Sequence, residues 1–329
     1  MATASLKRPD ASRARPAVPA WLPWTVLLWA VRLAVTVLGI LTLLFALLHL
    51  SGDPAAVLVG PGGSAEDLAR VRAQLGLDDP FLDQYLAFLG DVARLDFGNA
   101  RGSGEAALPS VLAKLPLTLQ LVVSTLALSL ALGLPLGVLA AARRDGLLGR
   151  VVSGAAALGQ AVPNFVLGLV LLLVFALWLG WLPSYGSTTP AHTVLPVVTL
   201  TLFTLARVVL LTRAGVLDAL SQDFCRAVTA KGGSHARVLW RHALPNAFPP
   251  VLAFLITDTG YLLSGTVLVE QLYAYDGIGR GLVVAIGEQD YPTVQATVFT
   301  VAVIVVAVSA LGDLLGRVAD PRVGRESAG

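Results

Sequence analysis

The polar stretch at residues 223–245, DFCRAVTAKGGSHARVLWRHALP, stands between two long apolar runs. Its cations Arg226, Lys231, Arg237 and Arg241, together with His235 and His242, hold it in water or against anionic lipid. Asp223 can cap a first helix running to Lys231, and Gly232-Gly233 permit the left-handed turn that stops it. Ser234 can cap a second helix, which Leu244-Pro245 is expected to end. A water-facing helix–Gly–helix of this kind binds rather than reacts, as a handle for a soluble partner. The competing reading is a surface hairpin held on one side by its charges. Reactive constellations are missing elsewhere. There is no GxxxxGK[ST] to cradle a nucleotide phosphate and no HExxH, and the four histidines are scattered, so no metal site is expected. Ser264-Gly265 lacks the glycine that precedes a hydrolase nucleophile by two residues. Cys225, the single cysteine, excludes an intramolecular disulfide or a CxxC pair and reads as a small filler. Asp96-Phe97-Gly98 copies a kinase triplet without its catalytic loop or strand lysine, and reads as a turn after a helix.

The elements that must carry this insert lie in lipid. Of 329 residues, 56% are hydrophobic and 13% charged, about half the charged fraction of a soluble domain. A net charge of +2 gives no reason to expect nucleic acid as a partner. Six apolar runs, at residues 33–50, 117–142, 152–179, 194–211, 248–269 and 294–315, are each long enough to cross a hydrocarbon core of about 30 Å as a helix. The expected fold is an all-α polytopic membrane protein with six transmembrane helices. A cytoplasmic tail and interfacial segment occupy residues 1–32 and the first span 33–50. An external segment covers 51–114, with two short amphipathic helices, and a five-span core covers 115–322. That core includes the polar loop 214–246, and residues 323–329 form a tail. Trp21, Trp24 and Trp29 read as interface anchors, and no small-residue cleavage site follows Leu50. Residues 1–20, rich in Pro, Ala and Arg, read as disordered.

Basic residues set the orientation. With the N-terminus inside, the inner segments hold Lys7, Arg8, Arg13, Arg15 and Arg32, then Arg143, Arg144 and Arg150. Further along they hold Arg213, Arg226, Lys231, Arg237 and Arg241, and finally Arg317, Arg322 and Arg325, whereas the short outer loops hold Arg280. Six crossings then return the C-terminus to the cytoplasm.

The insert resembles the cytoplasmic loop signature of permease subunits from binding-protein-dependent ABC importers. That signature runs as a Glu-Ala-Ala-like triplet, three residues, a glycine, nine residues, an aliphatic residue, one residue and Leu-Pro. Arg226-Ala227-Val228, Gly232, His242 and Leu244-Pro245 fall on those positions. The triplet and the aliphatic position depart from the general form toward the branch that carries oligopeptides, dipeptides and nickel. Ala230-Lys231-Gly232 and Arg241-His242-Ala243-Leu244 agree with that branch. So do Gly52-Asp53-Pro54-Ala55, Gly133-Leu134-Pro135-Leu136-Gly137, Val162-Pro163-Asn164-Phe165 and Asp290-Tyr291-Pro292, which point to its first permease subunit.

The resemblance implies the fold of a type I importer permease in a bacterial plasma (inner) membrane, forming half of a translocation pathway for di- or oligopeptides. It implies as partners a second permease, one or two ABC ATPases that carry ATP and Mg, an external substrate-binding protein and the lipid bilayer. No cofactor is expected in this chain, which would not be an enzyme. Asp223, Arg226, Ala227, Ala230, Lys231, Gly232, His242, Leu244 and Pro245 would then couple to an ATPase, with Ala227 and Ala230 keeping the contact face slim. Glu270, Gly277 and Gly279 would belong to an outer gate or binding-protein contact, or form a plain loop turn. Within the spans, Asp258 and Arg207 are costly charges. Either Asp258 lines the pathway and attracts a cationic group such as a peptide amine, or it pairs with Arg207 or meets the second permease. Asp313 matches a structural position of the family. Other expectations stay open. The same machinery carries nickel or other small solutes, while a secondary transporter would show internal repeats, and a plain anchor would leave the hairpin spacing unexplained.

Overall fold

The computed structural model describes residues 21–50, 54–59, 62–74 and 76–319. The expectations for residues 1–20 and for the C-terminal Arg322 and Arg325 lie outside this range. The chain runs α1 (Trp21–Leu50), α2 (Pro54–Val59), α3 (Ala65–Gln74), α4 (Phe81–Ala93), α5 (Ala107–Ala142), α6 (Leu147–Ala161) and α7 (Asn164–Leu171). A π-helical segment, Leu172–Trp178, prolongs α7. There follow α8 (Pro190–Ser221), α9 (Asp223–Ala230), α10 (His235–Arg237), a second π-helical segment (Val238–Ala243), α11 (Leu244–Leu272), α12 (Ile278–Gly287) and α13 (Tyr291–Ala319). Among the described residues the one piece of β-pairing is an antiparallel bridge between Asn99 and Ala106.

Five helical stretches are long and apolar enough to cross a membrane: Leu27–Ala46, Ala107–Ala142, Pro190–Ser221, His235–Leu272 and Tyr291–Leu314. The span expected over 152–179 is not a straight helix. It is split into Leu147–Ala161 and Asn164–Trp178, bent by 102°. Pro163 is the cause, because its ring excludes Val162 from the α region; Val162 sits at φ −88°, ψ 120°. The helices also overrun the expected boundaries. The first begins at Trp21 rather than Leu33, and α5 begins at Ala107, so a division at residue 114 falls inside a helix. The external segment holds the two amphipathic helices, α3 and α4, and the short α2 as well. Asp96-Phe97-Gly98 is a turn after α4, with the Gly98 amide donating to Asp96 and Phe97 buried against Phe299.

At the centre of the bundle stands α8, packed by α5, α11, α6 and α7, while α1 is attached at the edge through α13. Small residues allow the closest approach. A Cβ added at Gly133 would lie 2.6 Å from Val208 Cγ1, and one at Gly137 would lie 2.5 Å from Thr212 Cβ and 2.8 Å from the Val209 carbonyl oxygen. Gly133 and Gly137 form a GxxxG ridge, which in lipid replaces the missing hydrophobic drive with van der Waals contact. Gly215 plays the same part against Ala247 of α11, where an added Cβ would meet the Ala247 Cβ at 2.8 Å. Gly137→Leu is expected to force α5 off α8 and to destabilise the fold by roughly 2–3 kcal/mol, as overpacking does. A lowered midpoint of thermal aggregation in detergent would register it, and an unchanged midpoint would contradict the packing.

Candidate functional site

The polar insert is a helix–turn–helix built on the end of α8. In α9, Cys225 is buried and Val228 half-buried, and both enter a cluster with Val216, Ala219, Val238 and Leu239. Burial pushes the Cys225 thiol up, so it stays protonated at neutral pH and serves as the filler expected. The opposite face is open. Asp223, Phe224, Arg226, Ala227, Ala230 and Lys231 are all exposed. Phe224, 40% exposed, and Trp240, 49% exposed, are apolar groups that the sequence reading passed over. Their signal was present as aromatic residues inside an otherwise polar insert. A groove of about 420 Å³ beside α9 is lined by Leu220, Cys225, Arg226, Thr229 and residues of α10 and the π segment.

Gly232 adopts φ +79°, the left-handed conformation expected of it. Ser234 caps α10, its Oγ accepting the Arg237 amide at 3.4 Å. Two details of the predicted hairpin are corrected. Gln222 holds the N-cap position of α9, without a side-chain cap. Asp223 instead lies in the first turn, where its charge favours the helix dipole and it pairs with Arg226 at 3.5 Å on an exposed surface. The second helix also does not end at Leu244-Pro245. His235–Leu272 is one continuous helical stretch, crossing from the insert into the membrane. Pro245 has no N–H for the Arg241 carbonyl, and the helix widens to π turns over Val238–Ala243 instead of stopping. His242 and Leu244 are half-buried on that lever, and Pro245 is exposed. The insert and α11 are thereby joined without a break after His235.

At the other end, Glu270, Gly277 and Gly279 form one joint. The Glu270 side chain is fully buried. Thr118 Oγ1 donates to Glu270 Oε1 at 2.7 Å, the Arg280 amide donates to Oε2 at 2.9 Å, and the Ile278 amide donates to Thr118 Oγ1 at 2.9 Å. This carboxylate thus caps the N-terminus of α12 from a neighbouring helix, satisfying amides that a helix start leaves free. Glycine is required beside it. A Cβ on Gly277 would collide with Glu270 Oε1 and Thr118 Oγ1, and one on Gly279 would lie 2.9 Å from Glu270 Oε2 and 2.8 Å from Val267 Cα. With no exposed surface, Glu270 acts in this arrangement through the turn it holds. Alongside, Lys114 pairs with Asp276 at 2.9 Å in the wall of a cavity of about 620 Å³ between α5, α12 and the loop 100–105. Thr118 and α12 were both missed by sequence reasoning; a lone threonine carries no motif, and α12 is short.

The two intramembrane charges do not pair. Asp258 is buried and accepts from Thr204 Oγ1 at 2.7 Å, tying α11 to α8. Arg207 is exposed, donates to Gln160 Oε1 at 3.1 Å, and lies over the Phe254 ring at 5.8 Å. The two form no direct ion pair of the kind expected, although Arg207 lies near enough for its charge to act on the Asp258 carboxylate. Asp313 lies 3.9 Å from Arg32, a contact between α13 and α1 in which both side chains are at least half exposed.

A helix-bundle membrane chain with a helical lever reaching out to one side of the bilayer is the build of an importer permease. Residues 133–325 match the family of binding-protein-dependent transport system inner membrane components, and residues 26–122 match the N-terminal part of such components. The chain belongs to this family of ABC importer permeases and is a non-catalytic membrane subunit of the inner membrane. That membership implies an ATPase and a binding protein as partners. It is similar to the probable peptide ABC transporter permease protein y4tP of Sinorhizobium fredii, 37% identical over 85% of this chain and 92% of that one. The glutathione transport system permease protein GsiC of Escherichia coli K12 is 33% identical over the same shares of the two chains. In fold, the chain resembles a subunit of the MetNI methionine ABC transporter in inward-facing conformations. There the TM-score is 0.54 at 19% identity, covering 64% of this chain and 95% of that one.

Proposed function

We propose that this chain is one half of the translocation pathway of an importer for di- or oligopeptides, driven by ATP through the exposed face of α9. The observation that carries this reading is the build of the insert. Cys225 and Val228 anchor one side of α9, while Phe224, Arg226, Ala227 and Ala230 are exposed on the other. Gly232 sets the turn, and the second helix continues unbroken into α11. Closure of an ATPase against α9 would be transmitted along that lever, so that ATP shifts the balance between inward-open and outward-open forms. ATP and Mg reside on the ATPase. Support for a peptide cargo comes from the relatives, named for peptide and glutathione transport. A second permease of similar fold completes the pathway, with the insert and both termini on the cytoplasmic side.

Purification of the tagged chain from its own membranes in mild detergent, with mass spectrometry of what accompanies it, tests this directly. The expected company is a second six-span permease and one or two P-loop ATPases, with peptide bound to the associated binding protein. A binding protein loaded with nickel or another small solute would change the cargo and keep the machine. Recovery of the chain alone would overturn the coupling reading.

A further inference from the structure

The exposed side of α11 is more polar than that of α1. Along α1 the exposed large side chains are apolar (Leu27, Leu28, Val31, Val35, Leu38 and Leu43), with Arg32, Thr36 and Thr42 as the polar exceptions. Along α11 beyond Pro250 the exposed positions are Ala253, Thr257, Tyr261, Ser264, Leu268 and Gln271, spaced by three or four residues and therefore on one face. Four of the six are polar, and Tyr261 is 56% exposed. Polar groups at membrane depth face water or protein rather than hydrocarbon.

Two further features gather on the same side. Phe203 of α8 packs on Tyr261 with ring centroids 5.5 Å apart, and Arg207, one turn further along α8, lies over Phe254. The break between α6 and α7 is also here, because Gln160, two residues before the extended Val162-Pro163, bonds to Arg207. Non-helical backbone at membrane depth is tolerated where it lines a cavity or is covered by protein. Among the described residues of the spans, Arg207 is the exposed charge at mid-depth with no acidic side chain within ion-pair distance. Arg32 has Asp313, whereas Asp258 and Glu270 are buried. A guanidinium carries five N–H donors in a fork that matches a carboxylate, and the bond to Gln160 occupies one of them.

We propose that the polar face of α11, with Arg207 beside it, lines the solute pathway, and that Arg207 receives a carboxylate of the transported solute. This rests on the importer reading and deepens it. It also reverses the sign expected from Asp258, since the charge offered to the pathway is positive.

The test needs no knowledge of the natural cargo. Thr257→Cys, near the level of Arg207, and Ser264→Cys, about 10 Å further along the helix, are introduced into the full complex in native membranes. Each is labelled with the anionic sulfonatoethyl and the cationic trimethylammonioethyl methanethiosulfonates, and buried Cys225 serves as the unreactive internal reference. At residue 257 the anionic-to-cationic rate ratio, taken relative to that of a free thiol, is expected to favour the anionic reagent, and Arg207→Gln to lower it by roughly fivefold, as for one unit charge about 8 Å away in water. Arg207→Lys should retain the preference. Residue 264, about a Debye length away, should respond less. If Thr257→Cys fails to assemble, Ala253→Cys reads the same face. A ratio that ignores Arg207 overturns the proposal. So does an unreactive residue 257, which would assign the face to the second permease or to lipid. Co-purification of the ATPases alongside either negative result would leave the importer reading standing and remove this one alone.

Discussion

Glu270→Ala is expected to be the most destabilising single change outside the bundle's glycines, lowering stability by about 4 kcal/mol. The substitution strips the acceptor from the Arg280 amide and the Thr118 hydroxyl and leaves a void where the carboxylate stood. Each orphaned buried donor is worth about 1–3 kcal/mol, and the cavity adds to that. Against a total stability of about 5–15 kcal/mol, such a loss removes about a quarter to four-fifths of the margin. Thermal unfolding in detergent is the measurement. Glu270→Gln keeps one oxygen but sets an NH₂ against donors, and should lose roughly half as much. Gly279→Ala should resemble the Ala variant, because its methyl group meets Val267 and the same carboxylate. An Ala variant as stable as the parent would show that the joint does not hold α12.

Gly232→Val is expected to abolish transport while leaving the chain folded. At φ +79° a β-branched residue is strongly disfavoured, by at least about 1–2 kcal/mol, and the turn must rearrange. Nothing lies within 4 Å of the position a Cβ would take, so the defect is conformational and confined to the hairpin. A fold stabilised throughout the bundle absorbs that, but a lever does not. Under the proposed coupling, the altered turn would present α9 to its ATPase at the wrong angle. Uptake into inverted-control or native vesicles should fall by more than tenfold, as positional errors of about 1 Å commonly produce. Gly232→Asn, which tolerates the left-handed region, should recover much of the activity. Equal uptake by the Val and parent chains would detach the turn from function.

Much of this protein is legible from residue order alone, because lipid imposes a simple rule. Backbone groups in hydrocarbon must bond locally, so an apolar run of sufficient length becomes a helix, and charges mark its ends. Local rules also suffice for Gly232, whose conformation follows from the absence of a Cβ, and for Ser234, which caps the helix that begins beside it. The same local reasoning went wrong where a distant element could supply an alternative. Pro245 was expected to end a helix, yet π turns and packing against α8 carry the helix on. Asp223 was expected to cap, but the chain enters α9 one residue earlier.

Pairings between helices were beyond reach of the sequence. Asp258 and Arg207 both lie in spans and are opposite in charge, which suggested a bond between them. Their partners turn out to be Thr204 and Gln160, because helix phase turns Asp258 into the bundle and Arg207 out of it. Glu270 was expected at an outer gate or binding-protein contact or in a plain loop turn, and the groups it bonds are a threonine 152 residues away and an amide of a helix that periodicity did not reveal. Residue order thus determined the class of solvent, the crossings and the hairpin, all set by forces acting within a turn or two of chain. Which face of each helix meets protein, and which buried charge is satisfied by what, depends on rotation and register between elements far apart in sequence, and that was decided by tertiary packing.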